Sequence, residues 1–381
     1  MRTLNNTRLK KYLRLSLVAA ALAVSCTNNE NKHLEEAGFD DNAVVNRAER
    51  FSLEKTDSCM LLTITDPWQG AKGVKQVYYL VDRNKKLSEA GEHSSVIFVP
   101  VEKIICMSTT HVAMVSALGY SDAIVGVSGA GYMDTGNAYD VGYEAGLNNE
   151  LILSLSPDLI MMYGIGSESA GYLSKVQELG IKAMFNADYL ENDPLAKAEW
   201  IKLFGALFRE EEKADSIYRT ICMSYDQIKS YVEQNIDERP GVLLGLPFRD
   251  TWFISPGDSY AARFIADAGG NYIWRETKSS VSMPYSIEDV FIRSLKADFW
   301  INTGSAGSKK EIIALDPRLE KVPPFRTGNL FNNNKRVSPS GGNDYWESGI
   351  LQPHLILRDI AAILHPDLFP GHELYFYRKL E

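Results

Sequence analysis

The chain has 381 residues, with 40 Lys+Arg against 49 Asp+Glu, a formal net charge of −9, 45% hydrophobic residues and 23% charged residues. That apolar content excludes an intrinsically disordered chain, and the length allows roughly two domains at about 150 residues each. The acidic balance argues against a nucleic-acid partner, which calls for a basic surface.

At the N-terminus, Arg2, Arg8, Lys10, Lys11 and Arg14 precede an uncharged run from Leu15 to Ser25 that ends at Cys26. An apolar core of about 10 residues is too short for a membrane span of ~20 and has the layout of an export signal. The run Leu22-Ala23-Val24-Ser25-Cys26 resembles a bacterial lipobox, with Ala23 where that pattern prefers Leu, and this implies a signal over 1–25 and lipidation of Cys26. Such processing removes five basic residues and no acidic one, leaving 35 basic against 49 acidic. Once Cys26 is acylated, Cys59, Cys106 and Cys222 remain, none of them in a CxxC. They read as buried hydrophobes, with a single bridge left open.

Residues 26–47 are Asn/Glu-rich without apolar periodicity and read as a flexible tether. An N-terminal α/β lobe with a β-rich extension is expected over 48–192. Its β-like runs are Met60–Thr65, Gln76–Val81 and Val96–Val99, followed by strand Lys103–Met107, helix Thr110–Gly119 and strand Ile124–Val127. Alternation continues through Glu150–Leu155, Leu159–Met162, Ala170–Leu179 and Ala183–Phe185, the pattern of a largely parallel sheet. From 193 to 238 no strand signal appears. Leu207, Ala214, Ile217, Ile221, Tyr225, Ile228 and Val232 keep helical intervals, and a helix over Glu210–Gln234 would run about 37 Å. Such a rod holds two lobes at a nearly fixed angle, unlike a Gly/Ser hinge.

A second α/β lobe is expected over 239–381, with Gly241–Leu246, Tyr260–Ala268, Ile287–Leu295, Phe299–Ile301 and a last helix over Leu351–Leu364. It echoes the first: Glu150 to Asp158 to Gly164 lies against Glu288 to Asp298 to Gly304, each an acidic helix start, an Asp, a buried strand and a glycine loop. The fold class is therefore α/β, two similar lobes with central parallel sheets joined by a long helix, and a ligand cleft between them.

Enzyme signatures are sparse. No pair of the six histidines falls at i, i+4 or in HExxH, Gly126-Val-Ser128-Gly-Ala130 misses the nucleophile elbow at its fifth position, and no glycine set matches a dinucleotide or phosphate loop. Aromatic and polar residues instead gather after strands: Tyr163; Phe248, Arg249 and Trp252; Met283 and Tyr285; and Asn343, Asp344, Tyr345 and Trp346. Loops beyond the carboxyl ends of strands are where open α/β sheets bind ligands. Tyr163, Phe248, Arg249, Trp252, Tyr285, Asp344, Tyr345 and Trp346 are the candidate ligand contacts.

From Lys103 to the C-terminus the chain resembles the helical-backbone substrate-binding proteins of bacterial ABC importers for iron chelates and cobalamin. The resemblance rests on Lys103–Gly119 followed by Ile124–Val127, on Glu150–Gly164 with Ser156-Pro-Asp158, on the connector, on Ala266-Asp-Ala-Gly-Gly270-Asn and on Ser286-Ile-Glu288. Gly341–Gly349 looks like a subgroup feature of such lipoproteins in Bacteroidetes-type bacteria. The resemblance implies a non-enzymatic, monomeric, periplasm-facing carrier anchored through its lipid, which hands a metal chelate to a permease dimer with ATPase subunits. It implies no cofactor or metal site of the protein's own, since the ligand brings its Fe or Co. Tyr163 matches an aromatic contact of cobalamin binders and Asp344 a polar contact, while Ser348 stands where some cobalamin binders have arginine. Ferric siderophore and cobalamin rank nearly level, with haem third and Tyr163 or His111 as its nearest axial candidates. Glu150 and Glu288 match carboxylates that meet permease arginines. The competing accounts are a periplasmic enzyme acting on a metal chelate or other small molecule in the same two-lobed body, and a surface adhesion lipoprotein.

Overall fold

The computed structural model describes residues 45–84, 95–132 and 136–381, so Cys26, the export signal and most of the tether lie outside the described residues. A compact body runs from Arg47 to Glu381. It opens with a four-stranded sheet, β1 (Phe51–Lys55), β2 (Met60–Thr65), β3 (Lys75–Asp82) and β4 (Val96–Val99), antiparallel except for the parallel β3–β4 pair. One face buries Phe51, Leu53, Leu62, Ile64, Tyr78, Leu80, Ile97 and Val99, the alternate residues that a pleated strand sends to one side. The sequence reading lacked β1, because Phe51-Ser-Leu-Glu-Lys55 ends in charges and resembles the tether before it.

The N-terminal lobe follows as β5 (Ile104–Cys106), α1 (Thr109–Ala117), β6 (Ile124–Val127), β7 (Tyr139–Asp140), α2 (Asn149–Leu155), β8 (Leu159–Met162), α3 (Ser169–Glu178) and β9 (Ala183–Phe185). Its strands lie in the order β7-β6-β5-β8-β9, all parallel. Every residue of β8 and of the edge strand β9 is buried, as expected of a parallel sheet covered on both faces.

The connector consists of three helices rather than one. They are α4 (Pro194–Glu199), α5 (Ile201–Phe208) and α6 (Glu211–Asn235). All eight residues of α5 are buried, and the break before α6 falls at Arg209, whose φ of 61° is left-handed. Helix α6 has 25 residues, close to the sequence expectation, and buries Ala214, Ile221, Tyr225 and Val232 along one stripe.

The C-terminal lobe contains β10 (Gly241–Leu244), β11 (Thr251–Ile254), α7 (Tyr260–Asp267), β12 (Asn271–Tyr272), β13 (Met283–Ser286), α8 (Ile287–Ser294), β14 (Phe299–Ile301), α9 (Lys309–Leu315), α10 (Pro323–Thr327), β15 (Phe331–Asn332), α11 (Pro353–Leu364) and β16 (Arg378–Lys379). Strands β12-β10-β14 form a parallel sheet, while β11–β13 and β15–β16 are antiparallel pairs. In each lobe the first strand lies centrally, the next strand of the main sheet on one side of it and the strand after the acidic helix on the other: β6-β5-β8 and β12-β10-β14.

Side chains confirm that the two halves correspond. Asp158, just before β8, accepts from the Glu102 and Lys103 N–H groups at the start of β5, at 2.8 and 3.1 Å. Asp298, just before β14, accepts from Gly241 N–H at the start of β10, at 2.7 Å. Helices α2 and α8 also share a cap. Asn148 and Ser286 each accept from the N–H three residues on, which places Glu150 and Glu288 at the same second helical position.

Cys59, Cys106 and Cys222 are free thiols, with Cys106 and Cys222 buried. Among the described residues, no helix is long and apolar enough to cross a membrane.

Candidate functional site: the seam between the lobes

At the carboxyl end of β8 the chain turns through Gly164, whose φ is +67° and where a Cβ would lie 2.6 Å from the Phe185 ring. Glu144 fixes this turn, accepting from the Tyr163 and Gly164 N–H groups at 2.8 Å each. Tyr163 is thereby set against Tyr189, ring centroids 4.8 Å apart, and the Tyr189 hydroxyl donates to the Gly164 carbonyl at 2.7 Å. Burial and the neighbouring acids push both phenols up, Tyr189 to about 12, so both are neutral hydrogen-bonding rings.

Asp188, beside Tyr189, is 1% exposed, and burial raises its carboxyl to about 6 although Lys197 and the Thr110 hydroxyl favour the charged form. Lys197 on α4 donates to the carbonyls of Asp188 and Tyr189 at 3.1 and 3.0 Å. Its ammonium also lies 4.7 Å from the centre of the Tyr260 ring, which belongs to α7 of the other lobe. Burial lowers Lys197 to about 8. In the C-terminal lobe Tyr345 meets Tyr377 edge-on, ring centroids 5.8 Å apart. Asn302 directly follows β14 and accepts from the Tyr377 hydroxyl at 2.7 Å. Polar and aromatic contacts therefore join the carboxyl ends of β8 and β9 to Tyr260 of the other lobe, Tyr345, Tyr377 and Asn302 form a second group beyond the carboxyl end of β14, and helix α1 packs against Ser348–Leu351. Beside the α4–α7 contact opens a pocket of about 530 Å³ whose walls include Arg47, Arg50, Asp193, Asp258 and Arg263.

The candidate residues fall into different surroundings. Phe248 is 65% exposed, with the Arg249 guanidinium 5.3 Å from its ring centre, on a turn in which Phe248 and Thr251 exchange backbone hydrogen bonds. Trp346 is 57% exposed and meets Tyr345 edge-on at 4.6 Å, while Tyr345 itself is buried among Phe376 and Tyr377. Trp252 corrects the sequence reading: it is 1% exposed, donates to the Leu244 carbonyl at 3.2 Å and packs on Trp300, so it supports the β10 loop from below. Tyr285 packs by Trp274 and Arg293. Asp344 is engaged within the chain, holding Arg336 Nε at 2.6 Å and the Ser348 hydroxyl at 2.5 Å. His111 lies fully buried in the core near Phe204, held neutral by burial that lowers it to about 3. Tyr189, Asp188, Lys197 and Tyr260 were missed, although Asp188-Tyr189 follow β9 just as Tyr163 follows β8.

Glu150 is exposed and, among the described residues, without a partner, whereas Glu288 pairs with Arg318 at 2.5 Å, which holds its carboxyl below the usual range. No group of three or more His, Cys, Asp or Glu among the described residues is placed to hold a metal ion.

The raised Asp188 carboxyl yields a pH prediction. A buried acid whose native value is about 6 against 3.8 contributes stability below the unfolded value and loses it as pH rises through the native one. Relative to Asp188→Asn, the native chain is expected to lose on the order of 2 kcal/mol between pH 4 and pH 6. Urea unfolding across that range measures it, and parallel pH profiles for the two proteins would refute it.

The family model described as periplasmic binding protein matches residues 104–336. The chain is similar to an uncharacterized lipoprotein of Methanocaldococcus jannaschii, 26% identical over 310 residues, covering 76% of this chain and 71% of the relative. Among solved structures it is similar to a periplasmic heme binding protein from Pseudomonas aeruginosa, with a TM-score of 0.59 and 16% identity, covering 74% of this chain and 98% of that one. It is also similar to an ABC-type Fe3+-hydroxamate transport system protein from Saccharomonospora viridis, with a TM-score of 0.54 and 16% identity over 80% of this chain and 98% of that one. With a family model spanning more than half of its length and its paired lobes meeting along one seam, the chain belongs to the periplasmic binding protein family.

Proposed function

We propose that this protein is the solute-binding lipoprotein of an ABC importer, anchored through Cys26, which captures a ferric chelate between its lobes and delivers it to a permease dimer with ATPase subunits. The observation that carries this reading is the meeting of the loops after β8 and β9 with α7 of the other lobe, along a seam walled by Tyr163, Tyr189 and Tyr260. Flat or catechol-like ligands suit aromatic walls with a few fixed polar groups. Lys197 and Arg249 add positive charge, which favours an anionic ferric siderophore over cobalamin, and haem ranks third, since His111, one of its two axial candidates, is buried in the core. The fold supports this reading too, because similar bodies include proteins titled for heme binding and for Fe3+-hydroxamate transport.

Fluorescence titration with ferric siderophores, haem and corrinoids tests the proposal, with the exposed Trp346 as reporter. The expected result is saturable quenching with Kd near or below about 1 μM for a ferric siderophore, equivalent to about −8 kcal/mol. No saturation in any class would contradict it. Arg249→Ala is expected to weaken an anionic ferric chelate by at least about tenfold, since charge-assisted bonds contribute roughly 1.5–3 kcal/mol, and to leave a corrinoid unchanged. Equal affinities for the anionic chelate would remove Arg249 from the site.

A further inference from the structure

We propose that the C-terminal lobe carries a second site, separate from the seam, in which Arg293, Lys296 and Arg275 hold a phosphate group. A pocket of about 420 Å³ is lined by Asn271, Ile273, Arg275, Glu276, Arg293 and Lys296. Three of its six lining residues are cationic and one is acidic, on a chain whose net charge is −9. Asn271 opens the edge strand β12, Ile273, Arg275 and Glu276 follow it, and Lys296 lies just before β14, so the pocket flanks the β12 edge of this sheet and shares no lining residue with the seam.

Two of the three cations have no ion-pair partner among the described residues. Arg275 pairs with the exposed Glu276 at 3.0 Å and bonds to the Asn271 side chain. Arg293 and Lys296 form no ion pair among the described residues. Arg293 is nevertheless held in place, its guanidinium 5.6 Å from the Trp274 ring centre and 5.9 Å from that of Tyr285. A guanidinium stacked on rings keeps its N–H fork free, and that fork matches two oxygens of a phosphate. Two cations without an ion-pair partner around one concavity call for an anion, and the volume leaves room for a substituent on the phosphate.

Calorimetric titration of the full chain with inorganic phosphate at low salt tests the site. The expected Kd is about 1 mM or tighter, at least tenfold weaker in the Arg293→Ala, Lys296→Ala double variant, while Arg219→Ala on α6 binds as the native chain does. Both double-variant side chains are exposed, and an unchanged thermal melt establishes that the variant is folded. A second arm uses the Cys26→Ala chain with phosphatidylglycerol or phosphatidylcholine vesicles. Phosphate binding that the double variant loses supports a soluble phosphate compound as the occupant. Retention on phosphatidylglycerol alone, lost in the double variant, supports a lipid headgroup. No binding in either arm, or binding that the double variant keeps, overturns the proposal. Siderophore quenching in the seam is expected to be the same in all these variants, which keeps this outcome separate from the proposed transport role.

Discussion

Reversing both matched carboxylates, Glu150→Arg with Glu288→Arg, is expected to abolish uptake of the chelate while its affinity in solution stays within about twofold. Each glutamate occupies the second position of a helix capped in the same way, in lobes of the same strand order, so the pair is related by the internal repeat. At a helix start a carboxylate is favoured by unpaired N–H groups and the helix dipole, which accounts for its presence but not for its duplication. Two separated acidic contacts fix the orientation of a docked partner, and opposite charges mainly speed and orient encounter. The lobes differ in one respect: Glu288 already pairs with Arg318, so docking there requires Arg318 to yield its place. The single Glu150→Arg variant should therefore impair uptake more than Glu288→Arg. Preserved transport with lost affinity would assign both residues to the pocket or to folding.

The second large effect concerns stability. Glu199 is 0% exposed, and its Oε2 accepts from the Arg47 and Ala48 N–H groups at 2.7 and 2.8 Å while Lys202 approaches Oε1 at 3.1 Å. The next two N–H groups, of Glu49 and Arg50, both reach Glu191, and Phe51 packs on Trp200 with ring centroids 4.5 Å apart. Four consecutive backbone donors thus meet two buried carboxylates, fastening the start of the β-rich extension to the connector helices. Glu199→Ala strands two N–H groups and leaves Lys202 to Asp215 at 3.6 Å and the Tyr218 ring, and removing one partner of a buried pair costs about 3–5 kcal/mol. Large domains lose roughly 2–4 °C of Tm per kcal/mol, so the expected loss is roughly 10 °C, measured by calorimetry. A change below about 2 °C would show that water replaces the carboxylate freely.

Much of the architecture is legible in the residues themselves. Buried parallel strands such as Leu159-Ile-Met-Met162 announce themselves by composition, and the stripe through Ile221, Tyr225 and Val232 sets the long helix within a residue at either end. The breaks at Trp200 and Arg209 were hidden, because neither is a glycine or proline and only tertiary packing holds Arg209 left-handed. The site was read through a rule that favours aromatics after strands. That rule picks out Tyr163 and Phe248 as candidates but could not separate a ring facing the loop surface from one beneath it, as with Trp252 against Trp300. Lys197 and Tyr260 escaped for a different reason. Each looks like an ordinary helix residue until α4 and α7 meet across the lobes, and periodicity carries no information about that encounter.

The central claim is that a ferric chelate binds between the lobes against the Tyr163–Tyr189 pair. The most direct measurement is the equilibrium Kd of one ferric siderophore for the native chain and for Tyr163→Ala, Tyr189→Ala, with thermal melts to verify folding. Ring stacking contributes about 0.5–1.5 kcal/mol for each pair beyond area burial, so the two truncations together are expected to weaken binding by at least tenfold. A native chain that binds with Kd near or below about 1 μM and a folded double variant that is tenfold or more weaker is the predicted result. Equal affinities for the two proteins would contradict it.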